Sequence, residues 1–217
     1  MTFNIDAVVE AIKETVKQFE LPIVDQMART NRDPFQVLVC TMLSSRTKDS
    51  VTDEACKRLW RLAQIPEAIL ELSIDEIERA IYPVGFYRNK ARNLKSLCEQ
   101  LITDFGSKVP DTLEDLVKLK GVGRKTANLV LTLGFQKLGI CVDTHVHRIF
   151  NRLGYIKTSN PGETELALRK KLPKKHWIEI NGLLVSFGQN VCRPISPWCS
   201  RCPVNDACKR IGVKKSR

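Results

Sequence analysis

Apolar residues recur at three- and four-residue steps along most of the chain, the spacing that gathers them on one face of a helix. The first such set predicts an amphipathic helix and consists of Ile5, Val8, Val9, Ile12, Val16 and Phe19. The same spacing predicts later helices over 34–42, 49–63, 87–105, 124–135, 162–171 and 174–191, and one more from Asp143. Only Gly139-Ile140-Cys141-Val142 is strand-like. The pattern therefore predicts an all-α fold.

Several of these helices have recognisable starts. Asp33-Pro34 supplies an N-cap residue followed by proline at the first helical position. Ser73 and Glu76 have the spacing of a capping box ahead of a short helix. Thr112 is expected to begin another helix, which ends at Leu119.

The 217 residues include 35 Lys and Arg against 24 Asp and Glu, a net charge of +11. This excess fits a polyanion partner, and it also fits plain solubility. No apolar run reaches the roughly 18 residues of a membrane helix, and the first residues lack a signal or transit pattern. We therefore expect an intracellular protein whose cysteines are thiols or metal ligands rather than disulfides. Four of them stand alone among apolar residues and are expected in the core: Cys40, Cys56, Cys98 and Cys141.

The other four cysteines are close together, with the spacing Cys192-x6-Cys199-x2-Cys202-x5-Cys208. Prolines in this segment break helical structure, so the chain can wrap around a compact object. Soft thiolate ligands suit zinc or an iron–sulfur cluster. Zinc sites usually have two close ligand pairs, whereas here one pair is flanked by single cysteines. The spacing favours a cluster and leaves zinc as the alternative.

A glycine hairpin, Leu119-Lys120-Gly121-Val122-Gly123-Arg124-Lys125, lies between two predicted helices. Two glycines allow a tight turn with several amide N–H groups facing outward. The next helix adds its positive N-terminal end, and the basic side chains add charge, which together suit a phosphate. A Walker loop is excluded because its spacing is absent. A plain helix–helix turn with solvated lysines is the other interpretation.

Two residues near the hairpin have the chemistry of a catalytic pair. Lys125 is expected in the first turn of a helix, beside Arg124 and partly desolvated, where a neutral amine would be a nucleophile and Schiff-base former. An exposed hairpin lysine is the simpler alternative. Asp143 precedes a helix as an N-cap, a position that also holds a carboxylate in fixed geometry. His145 and His147 are expected to contact phosphate or neighbouring side chains rather than a metal.

Residues 119–128, Val142-Asp143-Thr144-His145 and the cysteine spacing resemble the endonuclease III family of helix-hairpin-helix DNA glycosylases. The resemblance covers nearly the whole chain. It implies a [4Fe–4S] cluster bound by the four C-terminal cysteines. It also implies a six-helix domain over 27–138 that contains the hairpin, and a discontinuous cluster-bearing domain over 1–26 and 139–217, with DNA in the cleft between them.

By the same resemblance, Lys125 matches the family's catalytic lysine and Asp143 its catalytic aspartate. The implied activity is that of a DNA glycosylase and AP lyase, which removes oxidised or damaged pyrimidines from duplex DNA and nicks 3′ to the site by β-elimination. Such an enzyme must extrude its target nucleotide from the stack. We expect a monomer in the cytoplasm, associated with the nucleoid, of prokaryotic type.

The resemblance also indicates which residues contact DNA. Two loops, Leu43–Asp49 and Gly85–Tyr87, match the family segments that wedge into the duplex, with Arg46 where glutamine is frequent and Phe86 where leucine is frequent. Lys120 replaces a common proline. The full set of expected contacts is Lys120, Gly121, Val122, Gly123, Arg124, Arg46, Phe86, Tyr87, His145 and Arg193.

Two alternatives stay open at this point. A mismatch-specific glycosylase acting on G:T or G:U pairs would share the motifs, and Arg46 and Phe86 lie where such a preference is decided. An adenine glycosylase is disfavoured because those enzymes usually lack the lysine. A non-catalytic iron–sulfur protein that binds DNA or transfers electrons would not need the pair of Lys125 and Asp143.

Overall fold

The computed structural model describes residues 3–217, which contain helices and no strand. They form two compact units. One unit is the chain up to Pro22 together with Leu138–Arg217, and the other is Ile23–Lys137. These bounds precede the expected domain bounds by four residues and by one. No helix in the described residues is both long and apolar enough to span a membrane.

The α-helices are, in chain order, α1 (Ile5–Val16), α2 (Ile23–Thr30), α3 (Pro34–Ser44), α4 (Asp49–Leu62), α5 (Pro66–Glu71), α6 (Ile74–Ile81), α7 (Tyr87–Phe105), α8 (Leu113–Leu116), α9 (Arg124–Leu129), α10 (Thr144–Leu153), α11 (Pro161–Lys171) and α12 (Ile180–Asn190). A π-helical turn, Val130–Gly134, continues α9, and short 3-10 helices cover Lys174–His176 and Cys199–Arg201. The predicted all-α fold is confirmed.

The predicted helix starts are confirmed because their signals are local. The Asp33 carboxylate accepts a hydrogen bond from the Gln36 backbone N–H at 2.8 Å. Ser73 and Glu76 form both halves of a capping box, in which each side chain bonds the other residue's backbone N–H. Each cap satisfies N–H groups that the first helical turn leaves without a partner.

Helix α3 is the centre of the Ile23–Lys137 unit. Its residues from Val37 to Cys40 are almost completely buried, and it packs against α2, α4, α7, α9 and the π-helical turn. A helix surrounded in this way is apolar on every side. The C-terminal end of α3 is therefore held in place from several directions, which matters for the site below.

The other unit has a core built on α1, α10 and α12. The predicted apolar face of α1 is buried from Val8 to Val16, and the large side chains of Phe150 and Phe187 are almost fully buried in the same cluster. The helix ends at Val16, so Phe19 lies beyond it and is only partly buried.

Some local predictions were wrong. The segment 139–142 is not a strand: it is buried and has no regular secondary structure, and the Asn181 amide donates to the Cys141 carbonyl at 3.2 Å. The helix expected from Thr112 to Leu119 is the single turn α8. The expected 174–191 helix divides into a 3-10 turn and α12. The apolar spacing does not predict α2 and α5, which are eight and six residues long.

The isolated cysteines lie in the core as predicted, but not all are thiols. Cys40 on α3 and Cys56 on α4 are fully buried and form a disulfide, so the expectation of reduced cysteines is wrong for this pair. Their Cα atoms are 6.2 Å apart because the two helices pack against each other. Cys98 and Cys141 are buried and lie outside the disulfide, and burial raises the pKa of the Cys98 thiol to about 12.

Candidate functional site

The glycine hairpin connects α8 to α9 and is fixed from inside the unit. Val122 is buried, and the Lys120 backbone N–H donates to the Gln100 side chain at 2.6 Å. Gly121 has φ +80°, and a Cβ there would lie 3.2 Å from the Met42 methyl carbon. Only glycine therefore fits this position. The hairpin is thus held by contacts inside the unit, while Lys120 and Arg124 are exposed.

Lys125 is the second residue of α9 and its side chain is exposed. The partial desolvation expected from the sequence is absent, because the buried part of the helix begins only at Ala127. Lys125 is nevertheless placed at the N-terminal end of the helix, directly after the hairpin. Two hairpin N–H groups, those of Lys120 and Val122, donate to Gln100 and to the Leu119 carbonyl inside the unit.

Asp143 is the N-cap of α10, as predicted. One carboxylate oxygen, Oδ1, accepts hydrogen bonds from the backbone N–H groups of His145 at 2.8 Å and Val146 at 2.9 Å. These two bonds fix the orientation of the carboxylate on a helix whose other face lies in the core. Capping and a chemical role are compatible here.

The two histidines contact neighbouring side chains. His145 Nδ1 lies 3.1 Å from the Arg148 guanidinium, and His147 Nδ1 lies 2.7 Å from the Thr164 hydroxyl. Arg148 also donates to the Cys192 carbonyl at 2.9 Å. Among residues 3–217, no group of three or more His, Cys, Asp or Glu is arranged around a single metal ion.

The two loops predicted to wedge into DNA meet in the structure. The Arg46 guanidinium lies over the Phe86 ring, with Cζ 5.6 Å from the ring centroid. A Cβ on Gly85 would lie 2.5 Å from the Arg46 carbonyl oxygen, so the backbones are in close contact and glycine is required. Phe86 is 59% exposed. Tyr87 begins α7 and packs edge-on against Tyr82.

These loops and the hairpin lie on neighbouring parts of the same unit. Gly121 approaches Met42, in the last turn of α3, and Asn93, in α7. The Arg46 loop follows α3 directly and Phe86 precedes α7 directly. The glycine hairpin, the Arg46 loop and the loop that contains Phe86 are distant in sequence. All three are in contact with, or continuous with, the same two helices, α3 and α7.

The C-terminal cysteines line one cavity in the other unit: Cys192, Cys199, Cys202 and Cys208. The Arg152 guanidinium donates to the Cys192 sulfur at 3.5 Å, and the Arg210 backbone N–H donates to the Cys208 sulfur at 3.4 Å. Hydrogen bonds to sulfur ligands are one of the ways in which a protein adjusts an iron–sulfur cluster.

The chemistry of these thiols fits a metal cluster. The pKa of Cys202 is raised to about 11 and that of Cys208 is raised as well, first by burial and to a smaller extent by the neighbouring cysteines. Four thiolates in this cavity would repel one another unless a positively charged core lay between them. Four soft sulfur donors on a proline-rich segment are suitable ligands for iron and sulfide.

Arg152 was not foreseen from the sequence. It is 8% exposed and donates to the carbonyls of Arg193 and Pro194, each at 2.6 Å. These two hydrogen bonds attach the loop between Cys192 and Cys199 to α10. At the exposed side of that loop, Ile195 is 86% exposed, and the Arg193 side chain donates to the Gln189 carbonyl at 3.0 Å. No sequence pattern distinguishes Arg152 from a solvated arginine.

Comparisons with known proteins identify the family to which the chain is similar. Residues 39–174 match the family described as HhH-GPD superfamily base excision DNA repair protein. The chain is 43% identical over 196 residues to endonuclease III of Thermotoga maritima, covering 89% of this chain and 92% of that protein.

Two solved structures are also similar. One is a trapped endonuclease III–DNA covalent intermediate, an estranged-adenine complex, with TM-score 0.78 and 36% identity, covering 86% of this chain and 92% of that one. The other is a thermostable thymine-DNA glycosylase, with TM-score 0.83 and 25% identity, covering 94% of this chain and 95% of that one.

Proposed function

The chain belongs to the HhH-GPD superfamily of base excision DNA repair proteins, and from this premise we propose that it removes oxidised or ring-damaged pyrimidines from double-stranded DNA. It is a DNA glycosylase of the endonuclease III type, a family in which AP lyase activity accompanies base removal. Lys125 carries the proposal, because its exposed amine lies in the first turn of α9, directly after the glycine hairpin.

The reaction begins when the damaged nucleotide is extruded from the stack. The neutral Lys125 amine attacks C1′, and a bond forms between C1′ and the lysine Nζ. The glycosidic bond between C1′ and the base breaks at the same time. The base leaves with the electron pair of that bond and takes up a proton. The sugar ring opens to a Schiff base. Loss of a proton from C2′ and cleavage of the bond between C3′ and its phosphate oxygen then cut the strand.

Asp143 supports this chemistry as a carboxylate of fixed orientation. Negative charge near the sugar stabilises the positive charge that develops at C1′ as the base departs. The same group can accept the proton that the lysine loses before it attacks. The two N–H bonds from His145 and Val146 keep the carboxylate from rotating, so little reorganisation is needed when charge develops.

A covalent trapping experiment tests the role of Lys125. Wild-type protein should form a borohydride-stable adduct with duplex DNA that contains thymine glycol or an abasic site, and Lys125→Gln should not. Lys57→Gln, at an exposed lysine of α4 that is paired with Asp53, is the control and should still form the adduct. An adduct with Lys125→Gln would assign the nucleophile to another amine. No nick or adduct with wild-type protein would contradict the lyase.

A second candidate substrate is a G:T or G:U mismatch, which the side chain of Arg46 favours. A guanidinium only donates hydrogen bonds and pairs well with guanine O6 and N7, and the similar thymine-DNA glycosylase supports the same possibility. Single-turnover rates on duplexes that place thymine glycol, uracil or thymine opposite each base decide between the two. Faster removal of thymine or uracil opposite guanine than of thymine glycol would establish the mismatch substrate.

We also propose that Cys192, Cys199, Cys202 and Cys208 hold a [4Fe–4S] cluster and that the protein binds DNA as a monomer. When bound, the cluster would hold the C-terminal segment in its folded form and present the loop that contains Arg193. Purified protein should be brown and contain about four iron atoms per chain. Cys202→Ser should lose iron and colour, whereas Cys98→Ser, a buried cysteine outside the cavity, should keep both.

A further inference from the structure

The side chain of Lys90, in the first turn of α7, donates its hydrogen bonds to the last turn of α3 and to the segment that follows it. Its ammonium lies 2.8 Å from the Leu43 carbonyl, 2.6 Å from the Ser45 carbonyl and 3.3 Å from the Thr47 hydroxyl. The side chain is half-buried, and no carboxylate of residues 3–217 forms an ion pair with it. Burial lowers its pKa to about 8. The ammonium is thus tied to three neutral oxygens with defined positions.

Thr47 extends this arrangement to the second loop. Its hydroxyl accepts a hydrogen bond from the Gly85 backbone N–H at 3.1 Å, and Gly85 lies against the Arg46 carbonyl. Lys90 also reaches Ser45, immediately before Arg46. The two loops that carry Arg46 and Phe86 are therefore joined by a continuous set of contacts that begins at Lys90.

The conformation of Arg46 and Phe86 requires such support. Both residues have left-handed backbones, with φ +53° for Arg46 and +59° for Phe86, which residues other than glycine rarely adopt. A backbone of this kind persists where the surrounding structure imposes it. Here it directs two exposed side chains outward together, with the guanidinium over the ring.

We propose that Lys90 is a positioning residue, which holds Arg46 and Phe86 as a preformed wedge that occupies the gap left when the damaged nucleotide leaves the stack. This inference rests on the proposed glycosylase function. Lys90 itself contacts neither the sugar nor the base, and its effect is transmitted through the loop backbones.

The proposal separates two activities of the same enzyme. Removing a base requires the nucleotide to be unstacked and its gap filled, so base removal depends on the wedge. Nicking at a preformed abasic site requires much less unstacking, because the base is already gone. Loss of Lys90 should therefore slow base removal more than it slows covalent capture of an abasic site, whereas a purely structural defect would slow both equally.

Lys90→Met removes the ammonium and keeps the aliphatic stem. We expect single-turnover removal of thymine glycol to fall about tenfold or more, while borohydride trapping on abasic DNA stays within about twofold. Lys90→Arg, which keeps donors at the end of the chain, should recover most of the rate. Lys95→Met, on the same helix without contact to these loops, is the control and should behave as wild type.

The fluorescence of a base analogue tests directly whether Arg46 and Phe86 occupy the gap in the duplex. 2-Aminopurine placed opposite a stable abasic analogue should change its fluorescence when wild-type protein binds, and this change should be lost with Lys90→Met. If Lys90→Met does not fold, Thr47→Val, which removes the hydroxyl that joins the loops, carries the same tests and should show a smaller selective loss. Equal loss of both activities, or unchanged base removal in a folded variant, would overturn the role of Lys90.

The same experiments keep this inference distinct from the proposed function. If wild-type protein forms no adduct with abasic DNA, the lyase proposal fails, but the fluorescence change still shows whether Lys90 positions the loops on DNA. If wild-type protein is active and the Lys90 variants retain full base removal and the full fluorescence change, only the inference about Lys90 fails.

Discussion

Gly121 and Gly123 are two residues apart in the hairpin, yet only one of them requires glycine. Gly121 has φ +80° and little room for a Cβ, whereas Gly123 has φ −93° and open space around the position of a Cβ. The glycine-x-glycine pattern in the sequence does not distinguish Gly121 from Gly123. The two residues differ in the structure, in their backbone conformation and in the contact of Gly121 with Met42.

Gly121→Ala should therefore destabilise the protein by about 1 to 2 kcal/mol and weaken DNA binding, because alanine at positive φ is strained and its methyl group meets Met42. Gly123→Ala is the matched control and should change the free energy of unfolding by less than about 0.5 kcal/mol. Denaturant unfolding monitored by circular dichroism gives both values. Similar losses for the two variants would show that the strain at Gly121 is not the cause.

At the scale of elements, Asp6 links α1 to the 3-10 turn Lys174–His176. Its carboxylate accepts hydrogen bonds from Lys175 at 2.6 Å and lies 2.8 Å from His176 Nε2. Lys175 first, and then His176, hold the pKa of this carboxyl below its usual value of 3.8. The ionised carboxylate is therefore favoured in the folded state over the unfolded state.

Because the folded-state pKa is lowered, the contribution of Asp6 to stability is present above about pH 4 and is lost as the pH falls through the folded pKa. Asp6→Asn should lower the melting temperature at pH 7 and make little difference under strongly acidic conditions. Glu10→Gln, an exposed residue of the same helix, is the control and should have little effect at either pH. A difference between wild type and Asp6→Asn that does not shrink on acidification would contradict this account.

The three segments expected to contact DNA show how elements combine. The hairpin, the Arg46 loop and Phe86 are local features that the sequence motifs locate correctly. Their arrangement depends on α3 and α7, whose packing brings Gly121 beside Met42 and Asn93 and Lys90 beside the end of α3. Capping patterns do not foresee contacts between residues more than forty positions apart.

At the scale of the whole molecule, the net charge of +11 governs association with DNA. Lysines and arginines that neutralise phosphates release counterions, so the binding constant should fall steeply as salt rises. A plot of log binding constant against log salt concentration for an undamaged duplex should have a slope of about −0.9 for each phosphate contacted.

Removing one phosphate contact should change that slope by about one. Lys120→Gln on the hairpin should make the slope less negative by this amount, and Lys57→Gln, an exposed lysine paired with Asp53 on α4, should leave it unchanged. Fluorescence anisotropy over a range of salt concentrations measures both. Equal slopes for wild type and Lys120→Gln would remove Lys120 from the DNA contacts.

The sequence was sufficient to predict the helical periodicity, the caps at Asp33, Ser73 and Asp143, and the family, since these depend on residues within a few positions of one another or on motifs with fixed spacing. It also located Lys125 and the C-terminal cysteines, whose chemical roles stay predictions until they are tested.

Contacts between distant residues follow from the packing of the helices and could not be predicted from the sequence. Three such contacts join residues between 16 and 47 positions apart. They are the disulfide between Cys40 and Cys56, the hydrogen bond from Lys90 to the Leu43 carbonyl, and the hydrogen bond from Arg152 to the Pro194 carbonyl. The sequence does not distinguish a buried lysine or arginine from a solvated one. Only the packing of the helices shows which oxygens surround the side chain. For this reason the sequence located the reactive groups, and the fold revealed what holds them in position.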